Sequence, residues 1–201
     1  MEKCLLLATG NPKKRKEMEE LAAGMGWEIK TLREFPDCAE AVEDGDTFIE
    51  NARKKALHYA PYTKLLTLAD DSGFEVDALD GRPGVYSSRY ARGEGSTDQE
   101  NLEKVLMEMG EVPDPQRAAR FVCVAVLATA EGAILHETRQ TVEGMVAHEP
   151  RGEGGFGYDP IFYYPPFKKT FAEVPAEDKH AVSHRGKAMR EIVRFLSQWE
   201  E

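Results

Sequence analysis

The stretch that most constrains the fold is Leu5-Leu6-Leu7-Ala8, followed at once by Thr9-Gly10-Asn11-Pro12. The short apolar run reads as a buried strand over 3–9. Pro12 carries no backbone N–H and has its φ preset near the helical value, so it suits a first helical residue, with Asn11 as the cap. A strand that passes through a short polar turn into a helix is the opening of an α/β protein. The free N–H groups at the helix start, the helix dipole and the basic run Lys13-Lys14-Arg15-Lys16 all favour an anion at the turn.

Helix geometry separates those cations. The helix is predicted from 12 to about 25, with Met18, Leu21, Ala22 and Met25 as its buried stripe. At ~100° per residue, Lys14 falls in the middle of the stripe, whereas Lys13 and Lys16 fall well outside it. An inward cation needs a partner, either a carboxylate elsewhere in the chain or a bound phosphate. The C-terminal helix repeats the arrangement. Ser183-His184-Arg185-Gly186 reads as its cap and first turn, and Arg185 lies four residues before Met189 in the stripe Met189, Ile192, Val193 and Leu196. A third cation, Lys55, flanks the stripe of Phe48, Ala52 and Tyr59 in a helix predicted from an Asp46 cap to Tyr59. Snorkelling along the apolar edge is the alternative reading for it.

Leu65 to Ala69 reads as a strand ending in the turn Asp70-Asp71-Ser72-Gly73, and Phe74 to Leu79 as another strand. One of the two acids can face a site, to hold Mg²⁺ or to take a proton from water, while the other braces the turn. A plain acidic turn is the competing reading. Glu43-Asp44-Gly45-Asp46 is a second acidic turn, able to supply further oxygen ligands. Thr97 and Glu100 form a capping box ahead of a helix closed by Gly110. Arg117 to Thr129 reads as a strand covered on both faces, paired in a hairpin with 133–143. The loop Gly152 to Gly157 leads to a short strand at 160–164, and its Phe156 suits either stacking on a base or a place in the core. The Pro-containing loop 112–116 is the candidate divide between two lobes, with no flexible linker.

A net charge of −10 argues against general nucleic-acid binding, which needs a basic face. The three cysteines, Cys4, Cys38 and Cys123, make no CxxC and no disulfide framework, so a cytoplasmic protein is expected. No run approaches membrane-spanning length.

Taken in order, the motifs resemble the inosine triphosphate pyrophosphatase family. They are Thr9-x-Asn11-x-x-Lys14-x-x-Glu17, Glu43 with Thr47-Phe48-Ile49-Glu50-Asn51-Ala52, Ala69-Asp70-Asp71-Ser72-Gly73, and Pro83-Gly84-Val85-Tyr86-Ser87-Ser88-Arg89-Tyr90. Gly155-Phe156-Gly157-Tyr158-Asp159-Pro160, Thr170-Phe171-Ala172-Glu173, Lys179 and Ser183-His184-Arg185-Gly186-Lys187-Ala188 complete the set. The resemblance implies an α/β fold of two lobes in one domain over 1–201, a long mixed β-sheet flanked by helices, and a nucleotide cleft between the lobes. It implies an Mg²⁺-dependent homodimer that hydrolyses dITP, ITP or XTP to the monophosphate and pyrophosphate. It makes Asp71 the general base and, with Glu43, a metal ligand. Thr9, Gly10, Asn11, Pro12, Lys13, Lys14 and the catalytic Lys55 become triphosphate groups. Ser72, Phe156, Gly157, Tyr158, Asp159, Lys179, His184 and Arg185 become nucleotide and base contacts. A nucleotide pyrophosphatase of the Maf type and a non-catalytic nucleotide sensor are the competing expectations. The Ser183-His184-Arg185 ending and the Glu43/Asp71 pair speak against them.

Overall fold

A computed structural model of the chain describes residues 3–23 and 26–199. The predicted stripe member Met25 lies outside the described residues, as does the side chain of Ala22. Among the described residues the strands form one mixed sheet in the order β2-β1-β3-β5-β6-β7-β8, with β4 paired to β3. The strands are β1 Cys4–Ala8, β2 Glu28–Thr31, β3 Leu66–Val76, β4 Pro83–Gly84, β5 Ala118–Ala128, β6 Ile134–Val146, β7 Phe162–Tyr164 and β8 Lys169–Thr170. The helices are α1 Pro12–Ala22, α2 Phe48–Thr63, α3 Asp98–Met109, α4 Ala176–Val182 and α5 His184–Gln198. The β1 strand pairs in parallel with β2 and β3, while β7 runs antiparallel to β6 and β8.

The chain divides into two compact units. The first comprises Met1–Asp71, Cys123–Gln140 and Arg185–Glu201; the second comprises Ser72–Val122 and Thr141–His184. The boundaries fall inside β3, β5 and β6, and the loop at 112–116 lies wholly within the second unit. The expected divide at that loop is therefore corrected: strands shared by both units carry no composition change for a reader to notice. The first unit closes its core with Leu5 and Leu7 of β1, Met18 of α1, Leu68 of β3, Leu127 of β5 and Met189, Ile192 and Leu196 of α5. Each such side chain removed from water stabilises by ~1.5–3 kcal/mol. The second unit gathers Phe74, Leu102, Val105, Met109, Phe121, Tyr158, Phe162 and Phe171.

Several local expectations hold. Asn11 caps α1, its side chain accepting from the N–H groups of Lys13 and Lys14 at 2.9 and 3.2 Å. Such a cap contributes ~1 kcal/mol. The Thr97/Glu100 box opens α3, and β5 is buried without a break from Phe121 to Ala128. Others are corrected. The cap of α2 is Thr47, in a reciprocal box with Glu50, and not Asp46. That helix continues through Pro61 to Thr63 because Tyr59, Ala60 and Thr63 are buried, and packing there outweighs the break a proline invites. The strand β6 reaches Val146 and β7 begins at Phe162, after a single 3-10 turn over Asp159–Ile161. The two predicted strands around Asp70-Asp71-Ser72-Gly73 are one strand, β3, with no turn between them, and a 3-10 turn over Asp77–Leu79 follows it.

Candidate active site

That last correction sets the chemistry. Within a strand, adjacent side chains point to opposite faces of the sheet. Leu68 packs with α1 and α5 residues, so Asp70, two positions on, faces the same side. Asp71 faces the other side, where α2 supplies Lys55. In β1, Ala8 sits opposite Ala69 in parallel register, which brings the Thr9–Asn11 turn beside the point where β3 presents its acids.

On the α1 and α5 side, the Lys14 ammonium lies 3.1 Å from Asp70 Oδ2. Arg185 Nε lies 3.8 Å from the same oxygen, and the Arg185 guanidinium also donates to Glu17. Asp70 and Arg185 are buried. Burial opposes the charge on Arg185, but Glu17 and Asp70 outweigh it and hold the guanidinium's pKa above its ordinary value. Both inward cations picked out by helix geometry thus meet one carboxylate.

On the α2 side, the Lys55 ammonium stands 2.9 Å from Glu43 Oε2 and 3.6 Å from Asp71 Oδ1. Lys55 is buried, so the snorkelling alternative does not describe it. Burial works against its charge; Asp71, Asp70 and Glu43 overcome that and raise its pKa. For Asp71 burial dominates and pushes the carboxyl above the ordinary aspartate range, against the pull of Lys55 and Lys14. An acid shifted upward while still flanked by cations has the profile of a general base. Two carboxylates here face one positive point. Among the described residues no set of three acids, histidines or cysteines converges as a metal cage. A pair of carboxylates suits a hard divalent cation of the Mg²⁺ kind, which completes its shell with waters and substrate phosphates. The donor set fits that group when a polyphosphate is bound.

Around the turn, Thr9 Oγ1 accepts from the Asn11 N–H at 3.3 Å. Gly10 and Lys13 are exposed, and a side chain added at Gly10 meets no atom within 4 Å. Pro12 stands at the helix start. Ser72 follows Asp71 on β3 and is half-buried.

In the second unit the glycine loop is locked by Asp159. Its Oδ2 accepts from the Phe156 N–H at 2.8 Å and pairs with Lys179 Nζ at 2.8 Å. Gly155 has φ +71°, and a Cβ there would sit 2.1 Å from that oxygen, so only glycine fits. The Lys179 ammonium lies 5.0 Å from the centre of the Phe156 ring. The two loop aromatics part company. Tyr158 belongs to the core, stacked on Phe74 at 4.9 Å with its hydroxyl donating to the Ser87 carbonyl. Phe156 stays half-buried outside that cluster. The Gly157 N–H donates to Asp98 Oδ2 at 3.0 Å, a contact between the loop and α3 that no local pattern announces. His184 is buried and stacks on Phe121 at 4.9 Å.

The sequence offers one of Asp70 and Asp71 as a brace, without saying which, and Glu17 only as a motif position. Their joint role as partners of Lys14 and Arg185 was accessible only through strand alternation, once β3 is taken as continuous.

The fold is that of a known class of α/β proteins. A HAM1 protein from Coxiella burnetii superposes with a TM-score of 0.88 at 42% identity, over 98% of this chain and 100% of that one. The Staphylococcus aureus Ham1 protein gives 0.86 at 37%, over 97% and 98%. The model of the Ham1 family matches residues 5–195, and the chain belongs to that family. Among its relatives, a dITP/XTP pyrophosphatase of Desulforamulus reducens is 49% identical over 194 residues, 96% of each chain. One of Yersinia pestis is 50% identical over 193 residues, 96% of this chain and 97% of its own.

Proposed function

We propose that this protein hydrolyses noncanonical purine nucleoside triphosphates, dITP and ITP or XTP and dXTP, to the monophosphate and pyrophosphate, with Mg²⁺. The observation that carries the reading is the pair Glu43 and Asp71 converging on the Lys55 ammonium. Both acids reach that side chain, which sets two carboxylate oxygens side by side as donors for a divalent cation. The names of the relatives, dITP/XTP pyrophosphatases at 49% and 50% identity, supply the substrate class.

In this reading Glu43 and Asp71 hold the Mg²⁺, whose chemistry is to neutralise and orient polyphosphate charge. Asp71 takes the proton of the water that attacks the α-phosphorus. Lys14, Lys55 and the capped start of α1, with Thr9, Gly10, Pro12 and Lys13 around it, stabilise charge on the departing pyrophosphate. His184 and Arg185 recognise the base, with Ser72, Phe156, Gly157, Tyr158, Asp159 and Lys179 as further nucleotide contacts. Hypoxanthine and xanthine offer a carbonyl at C6, where adenine offers an amino group. Donors aimed there lose their partner with adenine, at a cost of ~1–3 kcal/mol each. The same reading makes the working form a cytoplasmic homodimer without nucleic-acid or membrane partners. A net charge of −10 supports the part of it that concerns nucleic acid.

The test is a pyrophosphate-release panel over ITP, XTP, GTP and ATP, with and without Mg²⁺. Metal-dependent release with ITP and XTP well ahead of ATP is expected. Equal kcat/KM for all four, or binding without hydrolysis, overturns the reading.

A further inference from the structure

Asp71 and Glu43 are held in place by different means. Asp71 lies inside β3 and is buried. Glu43 sits on a loop with no regular structure, and its side chain is 41% exposed, so neither burial nor a ladder fixes it. The Lys55 ammonium at 2.9 Å holds the carboxylate itself, and the backbone that carries it needs an anchor of its own.

The loop is laced onto α2. Asn51, 1% exposed, accepts from the Gly45 N–H at 2.8 Å and donates back to the Gly45 carbonyl at 3.4 Å. Gly45 is two residues from Glu43, and Asn51 is one helical turn before Lys55, so both lie on the buried face of α2. The contact leaves no room: a Cβ on Gly45 would come within 2.8 Å of Asn51 Oδ1 and of Glu50 Cβ. The helix does not need Asn51 for its own cap, since Thr47 and Glu50 already form the box. Buried asparagine is also a poor helix former, so by propensity and burial alanine is the better residue there. Its amide is committed to the loop. Further along, Asp44 pairs outward with Lys54, the Ala41 N–H donates to the Tyr59 hydroxyl at 3.0 Å, and His58 meets the Ala39 carbonyl at 2.7 Å.

We propose that Asn51 is a positioning residue for the metal-binding carboxylate: by clasping the backbone of Gly45 it aims Glu43 at the point shared with Asp71 and Lys55. The proposal rests on the reading of Glu43 and Asp71 given above. It assigns to Asn51 no contact with substrate or metal; its effect passes through the loop.

The test titrates Mn²⁺ into the full-length protein, with free metal read by electron paramagnetic resonance, for wild type, Glu43→Gln, Asn51→Ala and Gly45→Ala. Partners that orient a metal ligand typically contribute 10–100-fold in affinity. Asn51→Ala is expected to weaken Mn²⁺ binding by about 10-fold. The Mg²⁺ concentration for half-maximal ITP hydrolysis should rise by a similar factor, with kcat at saturating Mg²⁺ close to wild type. Gly45→Ala attacks the same clasp from the loop side and should give the same shift, and the double variant should be no worse than either single one. Gly45→Ala also carries the test if Asn51→Ala fails to fold. Wild-type Mn²⁺ affinity and Mg²⁺ dependence in a folded Asn51→Ala protein overturn the proposal, as does a shift in Gly45→Ala alone. If wild type and Glu43→Gln bind Mn²⁺ alike, the carboxylate pair is not the metal site. That failure belongs to the underlying reading and is told apart from the first by the Glu43→Gln arm.

Discussion

Two aspartate–lysine partnerships in this protein look alike and differ in exposure. Asp159 and Lys179, in the second unit, are both buried, and the same Asp159 oxygen also accepts a backbone N–H. In the first unit Lys55 is shared between Asp71 and Glu43, and the latter is open to solvent. The buried pair fixes a loop. The other cluster sets two carboxylates beside a shared ammonium, and burial raises the pKa of Asp71. The comparison sets a pair shut away from water against a cluster that opens to it.

Substitutions should respect that division. The largest expected effect is on turnover: Asp71→Asn should lower kcat by about 10²–10⁴-fold, the usual contribution of a general base, while nucleotide still raises the melting temperature. Next comes stability. Lys179→Met removes the buried ammonium 2.8 Å from Asp159 and should cost about 3–5 kcal/mol in urea unfolding. Glu43→Gln removes a partly exposed acid and should change stability by about 1 kcal/mol or less while activity falls. A protein in which Glu43→Gln unfolds and Lys179→Met does not would invert the comparison.

The pH behaviour sharpens it further. Burial raises the Asp71 pKa, so in the metal-free protein the Asp71 carboxyl, followed by NMR, should titrate above the ordinary aspartate value of 3.8. Lys55 lowers that pKa, so Lys55→Met should move the titration further up. The sign for stability follows from the same shift. A carboxyl whose pKa is higher folded than unfolded costs stability as pH rises from the unfolded value through the folded one. Asp71→Asn should therefore raise the melting temperature at neutral pH and leave it unchanged below the carboxylate range. A fall at neutral pH contradicts the assigned shift. The smallest effect on stability is expected at Tyr158→Phe, which loses one hydrogen bond to the Ser87 carbonyl at a cost of about 1 kcal/mol.

What the sequence made legible was local. Asn11 and Pro12 announce α1 because cap and first turn are neighbours, and Thr97 with Glu100 announces α3 for the same reason. Lys14 and Arg185 were identifiable as inward cations because helical spacing is local arithmetic. Their partners were not: Lys14 meets Asp70 from 56 residues away and Arg185 meets Glu17 from 168. Asp70-Asp71-Ser72-Gly73 has turn composition, and β3 overrides it because the segment is largely buried within a strand that pairs with β1 up to Ala69 and with β4 from Phe74. The strands β2 and β8 and the short helix α4 escaped notice because four, two and seven residues are too few to display a period. The candidate site residues lay in motifs whose order was recognisable, but which carboxylate meets which cation depended on the three-dimensional register.

The central claim is that Asp71 takes the proton of a water that attacks the α-phosphorus while Lys55 stabilises the departing pyrophosphate. Hydrolysis of ITP in oxygen-18 water tests it most directly. The account predicts label in the inosine monophosphate and none in the pyrophosphate released with it. Label in the pyrophosphate, or release of orthophosphate in its place, would contradict it.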